Sequence, residues 1–158
     1  MKKIFVALFC MAALVADELK IEANLFTADQ KSGLSIFEGD VHIQKGSDEL
    51  NASKVTVYVN EQKEPTKFHA QGDVSFFIHT QEGAQFKGQA YEAIYFPETK
   101  EYHFFKNVHL QQLDDKKEIV GEEVVLKSIE GNAYAKGAEK EPVIMIFDLK
   151  EKDIQKEQ

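Results

Sequence analysis

The side chains of this sequence best suited to hold a metal or move a proton near neutral pH are five histidines, at positions 42, 69, 79, 103 and 109. A zinc site draws its ligands together through pairs spaced i,i+2 or i,i+4, and none of the five is so spaced. His42 and His109 follow a valine at matching places of a repeated phrase, Asp-Val-His and Asn-Val-His, so the repetition accounts for them. His69, His79 and His103 fall in separate predicted strands. No Ser/His/Asp order, glycine-rich phosphate loop or paired-acid motif is present to serve nucleophilic or acid–base chemistry. Asp114-Asp115 reads as a turn, and Glu122-Glu123 as a solvated face. Acids alternating with lysine along 61–67 and 114–118 read as solvent-facing charge that keeps strand edges soluble. These residues predict neither catalysis nor a metal or cofactor; binding is the chemistry left.

The elements that would have to position a binding surface are short and alternate like strands: VTVYV (55–59), VSFFI (74–78), YEAIYF (91–96), EVVLKSI (123–129) and VIMIFDL (143–149). Gly, Asn and Asp punctuate them, and the three prolines, at 65, 97 and 142, stand at strand boundaries where a missing N–H does little harm. No amphipathic helix emerges. The Lys/Glu-rich end, 150–158, reads as a frayed or disordered tail. The chain is predicted to be all-β, with one domain over 17–149.

The strands repeat. One phrase is Gly39-Asp40-Val41, Gly72-Asp73-Val74 and Lys106-Asn107-Val108, with the valines 33 and 34 positions apart. A second phrase, apolar-x-small-x-x-apolar-x-apolar, begins at Ile21, Leu50, Phe86 and Ile119. Strand side chains change face at every residue, so positions two apart share a face. The step of three from the small residue to the next apolar one is odd, and a bulge or sharp bend must reset the parity there. A small residue at that point lets a neighbouring backbone come close. After the reset, one face carries Val55, Val57 and Val59; Tyr91, Ala93 and Tyr95; and Val124 and Leu126. The Gly-x-Val half adds Val41 and Ile43, then Val74, Phe76 and Ile78, then Val108 and Leu110. Strand–bend–strand units stacked in this way bury their apolar faces on one another. Packing of an ordinary β-sandwich core would give a similar periodicity. Against it stand the aromatics on both faces of 91–96 and 102–105, more than one two-sheet core of this size readily absorbs.

A chain of 158 residues with a net charge of −8 suits one domain and lacks the basic face that nucleic-acid phosphates require. Lys2 and Lys3, the apolar run Ile4 to Val15, and Ala16 before Asp17-Glu18 form an export signal predicted to be cleaved after residue 16. The run of about twelve apolar residues is shorter than the roughly twenty of a spanning helix. The one cysteine, Cys10, lies inside this run, and bulky Phe9 before it is unsuited to lipidation. A chain starting at Asp17 would have no disulfide and would rely on its core and hydrogen bonds.

At this point a resemblance becomes specific. The GDV/KNV phrase, the apolar-x-Ala/Gly step and the run FKGQAYEAIYFPETKEYHFFKNVHLQQLDD (86–115) resemble the OstA-like family over about residues 19–148. The sequence departs from the family at Lys106, where glycine usually precedes the asparagine. The resemblance implies an open, twisted two-sheet β-jelly roll whose V-shaped groove holds the lipid A acyl chains of lipopolysaccharide during passage through the periplasm. It implies partners at the inner and outer membranes, joined by edge-strand pairing, and a head-to-tail homo-oligomer. Matched to the family pattern, Leu19, Phe76 and Tyr95 face the groove. Strand parity adds Val57, Ile78, Ala93, Val108 and Leu110 as lining. For each of these the residue pattern leaves a plain core role open beside lipid contact. Two other readings share the fold: a membrane-anchored sister component of the same pathway, and a structural β-domain that assembles by its edges without binding lipid.

Overall fold

Six long strands of the protein bend near their middles, and that bend organises everything else. The computed structural model describes residues 18–149. The expected export signal, 1–16, and the charged tail, 150–158, lie outside the described residues. Ten strands follow one another: β1 Leu19–Glu22, β2 Leu25–Asp29, β3 Leu34–Lys45, β4 Asp48–Val59, β5 Pro65–His79, β6 Gln85–Phe96, β7 Glu101–Gln112, β8 Lys117–Lys127, β9 Asn132–Lys136 and β10 Ile144–Phe147. All pairings are antiparallel, in the order β1-β3-β4-β5-β6-β7-β8-β10, with β2 also on β3 and β9 also on β8. No helix occurs among the described residues.

The pairings divide every long strand in two. The first half of β3 pairs with β2 and its second half with β1; the first half of β8 pairs with β10 and its second with β9. Between the halves the register shifts, at Glu38/Val41 in β3, Gln71/Val74 in β5 and Phe105/Val108 in β7. On each of these strands two residues oppose one on the neighbour, a bulge that bends the strand. Both residues of each bulge are left-handed: Gly39 and Asp40, Gly72 and Asp73, Lys106 and Asn107. Glycine adopts that conformation without cost and Asn or Asp at modest cost, which is why the repeated phrase has the residues it has. At Gly72, φ is +83° and an added Cβ would sit 2.8 Å from the Ser53 side chain, so conformation and space both call for glycine.

The bends align and fold the ladder into two half-sheets that face each other around one apolar core. Across it the Phe76 ring stacks on Phe104 at 4.0 Å, joining the second half of β5 to the first half of β7. Among the described residues the ladder does not close on itself: β1 and β10, at its ends, pair only with β3 and β8. The architecture is the open all-β jelly roll expected from the sequence.

Two expectations of detail change. The strands run longer than the apolar segments that predicted them, because Lys, Gln and Glu on the outer face continue the same backbone. In β6 the inward frame is Gly88-x-Ala90-x-x-Ala93-x-Tyr95, not one containing Tyr91. Tyr91 points outward at 51% exposure, while Ala90 and Ala93 are buried. The register supplies the reason: Gly88 pairs with both Phe76 and Leu110, and a Cβ there would lie 2.7 Å from the Phe76 ring. Gly88 is small to make room for Phe76, and Ala90 occupies the place beside the bend.

Candidate functional site

Cross-strand register sorts the inward side chains into rows parallel to the line of bends. Beside the bends the second half-sheet carries Val41, Ala52, Val74, Ala90, Val108 and Gly121. The next row is Ile21, Ile43, Leu50, Phe76, Gly88, Leu110 and Ile119, each paired with the one before. On the facing half-sheet the row Val57, Phe68, Tyr95, Tyr102 and Leu126 stands at a similar distance from the bend. On the second half-sheet small β-branched and alanine side chains thus sit beside the bends, with larger ones next to them except at Gly88; on the facing half-sheet the row beside the bends is Phe37, Val55, Ala70, Ala93, Phe104 and Val124.

At the diverging edge the interior is not filled. A largely apolar cavity of about 230 Å³ opens there, walled by Leu19, Ile43, Leu50, Pro65, Phe68, Ile78, Tyr95, Pro97 and Tyr102, with Lys45, Asp48 and Glu49 at its border. An aromatic ladder leads inward from it: Phe68 to Tyr95 at 6.1 Å, Tyr95 stacked on Tyr102 at 4.5 Å, and Tyr102 to Phe104 at 6.2 Å. Burial, followed by neighbouring charge, pushes the phenols of Tyr95 and Tyr102 above their usual pKa, so both stay neutral and present hydroxyls rather than anions. An apolar wall with neutral phenols at its margin accommodates hydrocarbon beside a hydrogen-bonding group.

Of the residues the sequence nominated for a groove, Leu19, Ile78 and Tyr95 come together at this opening. Val57, Phe76, Ala93, Val108 and Leu110 lie behind it, all buried in the core. Phe76 is held from two sides, by Phe104 and by the space over Gly88. Sequence reasoning missed Leu50, Phe68 and Tyr102. Phe68 stands two residues before buried Ala70, so strand alternation carried the signal; the 65–67 stretch, with its proline and lysine, concealed that a strand begins there. Tyr102 lay within the doubly aromatic YHFF stretch, where alternation alone does not tell which residue faces inward.

The histidines pair separately with polar neighbours. The nearest ring nitrogen to carboxylate-oxygen distances are 3.0 Å for His79 and Asp48, 3.1 Å for His103 and Glu101, and 3.3 Å for His109 and Glu118. His69 meets Glu92, and His42 Nδ1 lies 2.7 Å from Asn51 Oδ1. Among the described residues no three His, Cys, Asp or Glu side chains gather where they could hold a metal ion.

Residues 20–132 match the family described as LptA/(LptD N-terminal domain) LPS transport protein. No curated protein matches the sequence. Among solved structures the fold is shared with the crystal structure of LptH, described as the LptA homologous periplasmic component of the conserved lipopolysaccharide transport device from Pseudomonas aeruginosa. The TM-score is 0.74 at 16% identity, over 84% of this chain and 96% of that one. A bulge-bent open jelly roll and a family match spanning more than half of the sequence agree: the chain belongs to the LptA/LptD N-terminal domain family of lipopolysaccharide transport proteins.

Proposed function

We propose that this protein is a periplasmic carrier and bridge, not an enzyme, which shields the lipid A acyl chains of lipopolysaccharide between its half-sheets on the way from inner to outer membrane. The observation that carries this reading is the apolar cavity at the diverging edge, open to solvent and continuous with the buried rows behind it. Each methylene kept from water is worth about 0.8 kcal/mol, so one long acyl chain crossing the periplasm uncovered would cost on the order of 10 kcal/mol. In this reading Leu19, Ile78 and Tyr95 meet the chains first. Val57, Phe76, Ala93, Val108 and Leu110 form the apolar floor that the chains reach as the half-sheets part.

Bridging would use the two ends of the ladder. Among the described residues β1 and β2 end it on one side and β9 and β10 on the other, each with an edge able to accept a partner strand. Leu25 and Phe26 at one end, and Tyr134, Ile144 and Phe147 at the other, are large apolar residues about half exposed. Pairing of opposite ends would join copies head to tail and join them to the membrane components of the pathway.

The test is photocrosslinking in cells with a photoreactive residue at Ile78 or Tyr95, and at Tyr91 on the outer face as control. Lipopolysaccharide adducts at the first two positions and none at the third are expected. Their absence, or an equal yield at Tyr91, would overturn the carrier reading.

A further inference from the structure

Beside the apolar opening lies a second cavity of about 350 Å³ with a different lining: Lys45, Ser47, His79, Thr80, Lys100 and Ser128. Tyr95, Tyr102, Lys45 and Asp48 border both cavities, so the two adjoin across the stacked phenols. We propose that this polar cavity is a headgroup site, which takes a phosphomonoester and the adjoining sugar hydroxyls of a phosphorylated, acylated saccharide. The proposal rests on the carrier reading above and assigns the polar half of the same lipid to named residues.

The two lysines belong to different elements bordering the cavity. Lys45 ends β3, where its register row runs Leu19, Lys45, Asp48; Lys100 lies in the turn between β6 and β7. Lys117 and Lys127 form ion pairs with Asp115, Glu101 and Glu130, but among the described residues neither Lys45 nor Lys100 has an acidic partner. In a chain with 27 acidic and 19 basic side chains, two lysines and the single carboxylate of Asp48 lining one cavity leave it a formal charge of +2 − 1, a local positive site on an acidic surface. A phosphomonoester offers close to two negative charges and three acceptor oxygens, which suits two point-charge donors converging from different elements.

One carboxylate opposes this arrangement, and it is already engaged. Asp48 Oδ1 accepts from the His79 backbone N–H at 2.8 Å and lies 3.0 Å from His79 Nδ1, itself 3.2 Å from Ser47 Oγ. Ser47, Thr80 and Ser128 supply hydroxyls that can give or accept hydrogen bonds with a sugar. The phenols of Tyr95 and Tyr102, kept neutral by burial, stand where the acyl chains and the headgroup would join.

The test uses the full chain and two synthetic lipids, a tetra-acylated glucosamine disaccharide with one phosphate and the same molecule without it. Affinities come from displacement of a fluorescent fatty acid at low salt, and the readout is their ratio. An unmodified protein is expected to prefer the phosphorylated lipid about tenfold, the low end of the scale for a single hydrogen bond to a charged group. In the double variant Lys45→Gln, Lys100→Gly the preference should fall to about twofold or less. Lys100 has φ +52°, so glycine relieves backbone strain there, and a circular-dichroism melt confirms that the variant is folded. A glucosamine phosphate without acyl chains should fail to displace the probe; displacement by it would show a free-phosphate site and overturn the proposal. Equal affinity for both lipids in the unmodified protein, or a preference that survives in the variant, overturns the headgroup site alone. If neither lipid binds, the carrier reading falls and takes this one with it.

Discussion

Beside the bends the half-sheets meet over Val41, Ala52, Val74, Ala90 and Val108; farther along the same strands they carry Ile43, Leu50, Phe76, Ile78 and Leu110. The first group closes the interior; of the second, Ile43, Leu50 and Ile78 reach the opening that Leu19, Phe68, Tyr95 and Tyr102 also border, while Phe76 and Leu110 stay buried behind it. On this half-sheet side-chain size grows with distance from the bend except at Gly88, while on the facing one Phe104 already fills the space beside the bend, and the wedge is filled only as far as the side chains reach. Interiors pack near crystal density, so a wedge too wide for its own side chains leaves an apolar surface that another molecule can cover. Closed core and open edge are two distances along one repeated unit.

The largest expected effect strikes the closed side. Phe104 is wholly buried, and Phe104→Ala should cost about 4 kcal/mol and lower the melting temperature sharply. A loss below about 1 kcal/mol in denaturant titration would mean that the half-sheets do not pack there. Next comes Gly88→Ala, whose Cβ would stand 2.3 Å from the His109 carbonyl oxygen and 2.7 Å from the Phe76 ring. Overpacking of that severity should cost about 3 kcal/mol, and the double variant Gly88→Ala, Phe76→Leu should recover part of it. No recovery would show that the backbone clash, rather than Phe76, makes the glycine necessary.

At the margin of the opening the effects on stability shrink. Tyr102 has its pKa raised by burial above the ordinary 10.0, so the folded chain keeps a proton that the unfolded chain releases first. The stabilisation is intact below pH 10 and lost as the pH rises above it, at about 1.4 kcal/mol per pH unit. Urea melts between pH 9 and 11.5 should show this slope, and Tyr102→Phe should reduce it; an unchanged slope would place the titration elsewhere. Tyr95→Ser should cost about 2 kcal/mol, its stack on Tyr102 together with the apolar area it half buries, yet abolish acyl-chain capture under the proposed function. Outer-face Tyr91→Ser should leave stability within about 0.5 kcal/mol and capture unaltered. Equal loss of capture at Tyr91 and Tyr95 would erase the distinction between inner wall and outer face.

How far the residues could be read ahead of the structure depended on how local the cause was. The odd step of the apolar-x-small-x-x-apolar phrase was enough to place a bend in each unit, but it did not show that the left-handed bulge residues are Gly39-Asp40, Gly72-Asp73 and Lys106-Asn107 on the neighbouring strands. In β6 two small residues, Gly88 and Ala90, both fit the pattern, and the frame was taken from the wrong one. Deciding between them requires knowing that Phe76 lies opposite Gly88. Tyr102 was missed for the same reason, since which face of an aromatic strand turns inward depends on its neighbours; Phe68 was missed because the proline and lysine of 65–67 hid the start of its strand.

The amino-acid order by itself determined an all-β chain, the bends and the stacking of repeated units, because these follow from φ preference and two-residue alternation within a strand. Only the tertiary structure decided that Leu19, Ile78 and Tyr95 meet at an opening while Val57, Phe76, Ala93, Val108 and Leu110 are enclosed. All but Leu19, which the family pattern supplied, satisfy the same one-dimensional rule. Whether an inward side chain meets another across the gap depends on the separation of the half-sheets, which is set by the bend and by the residues opposite.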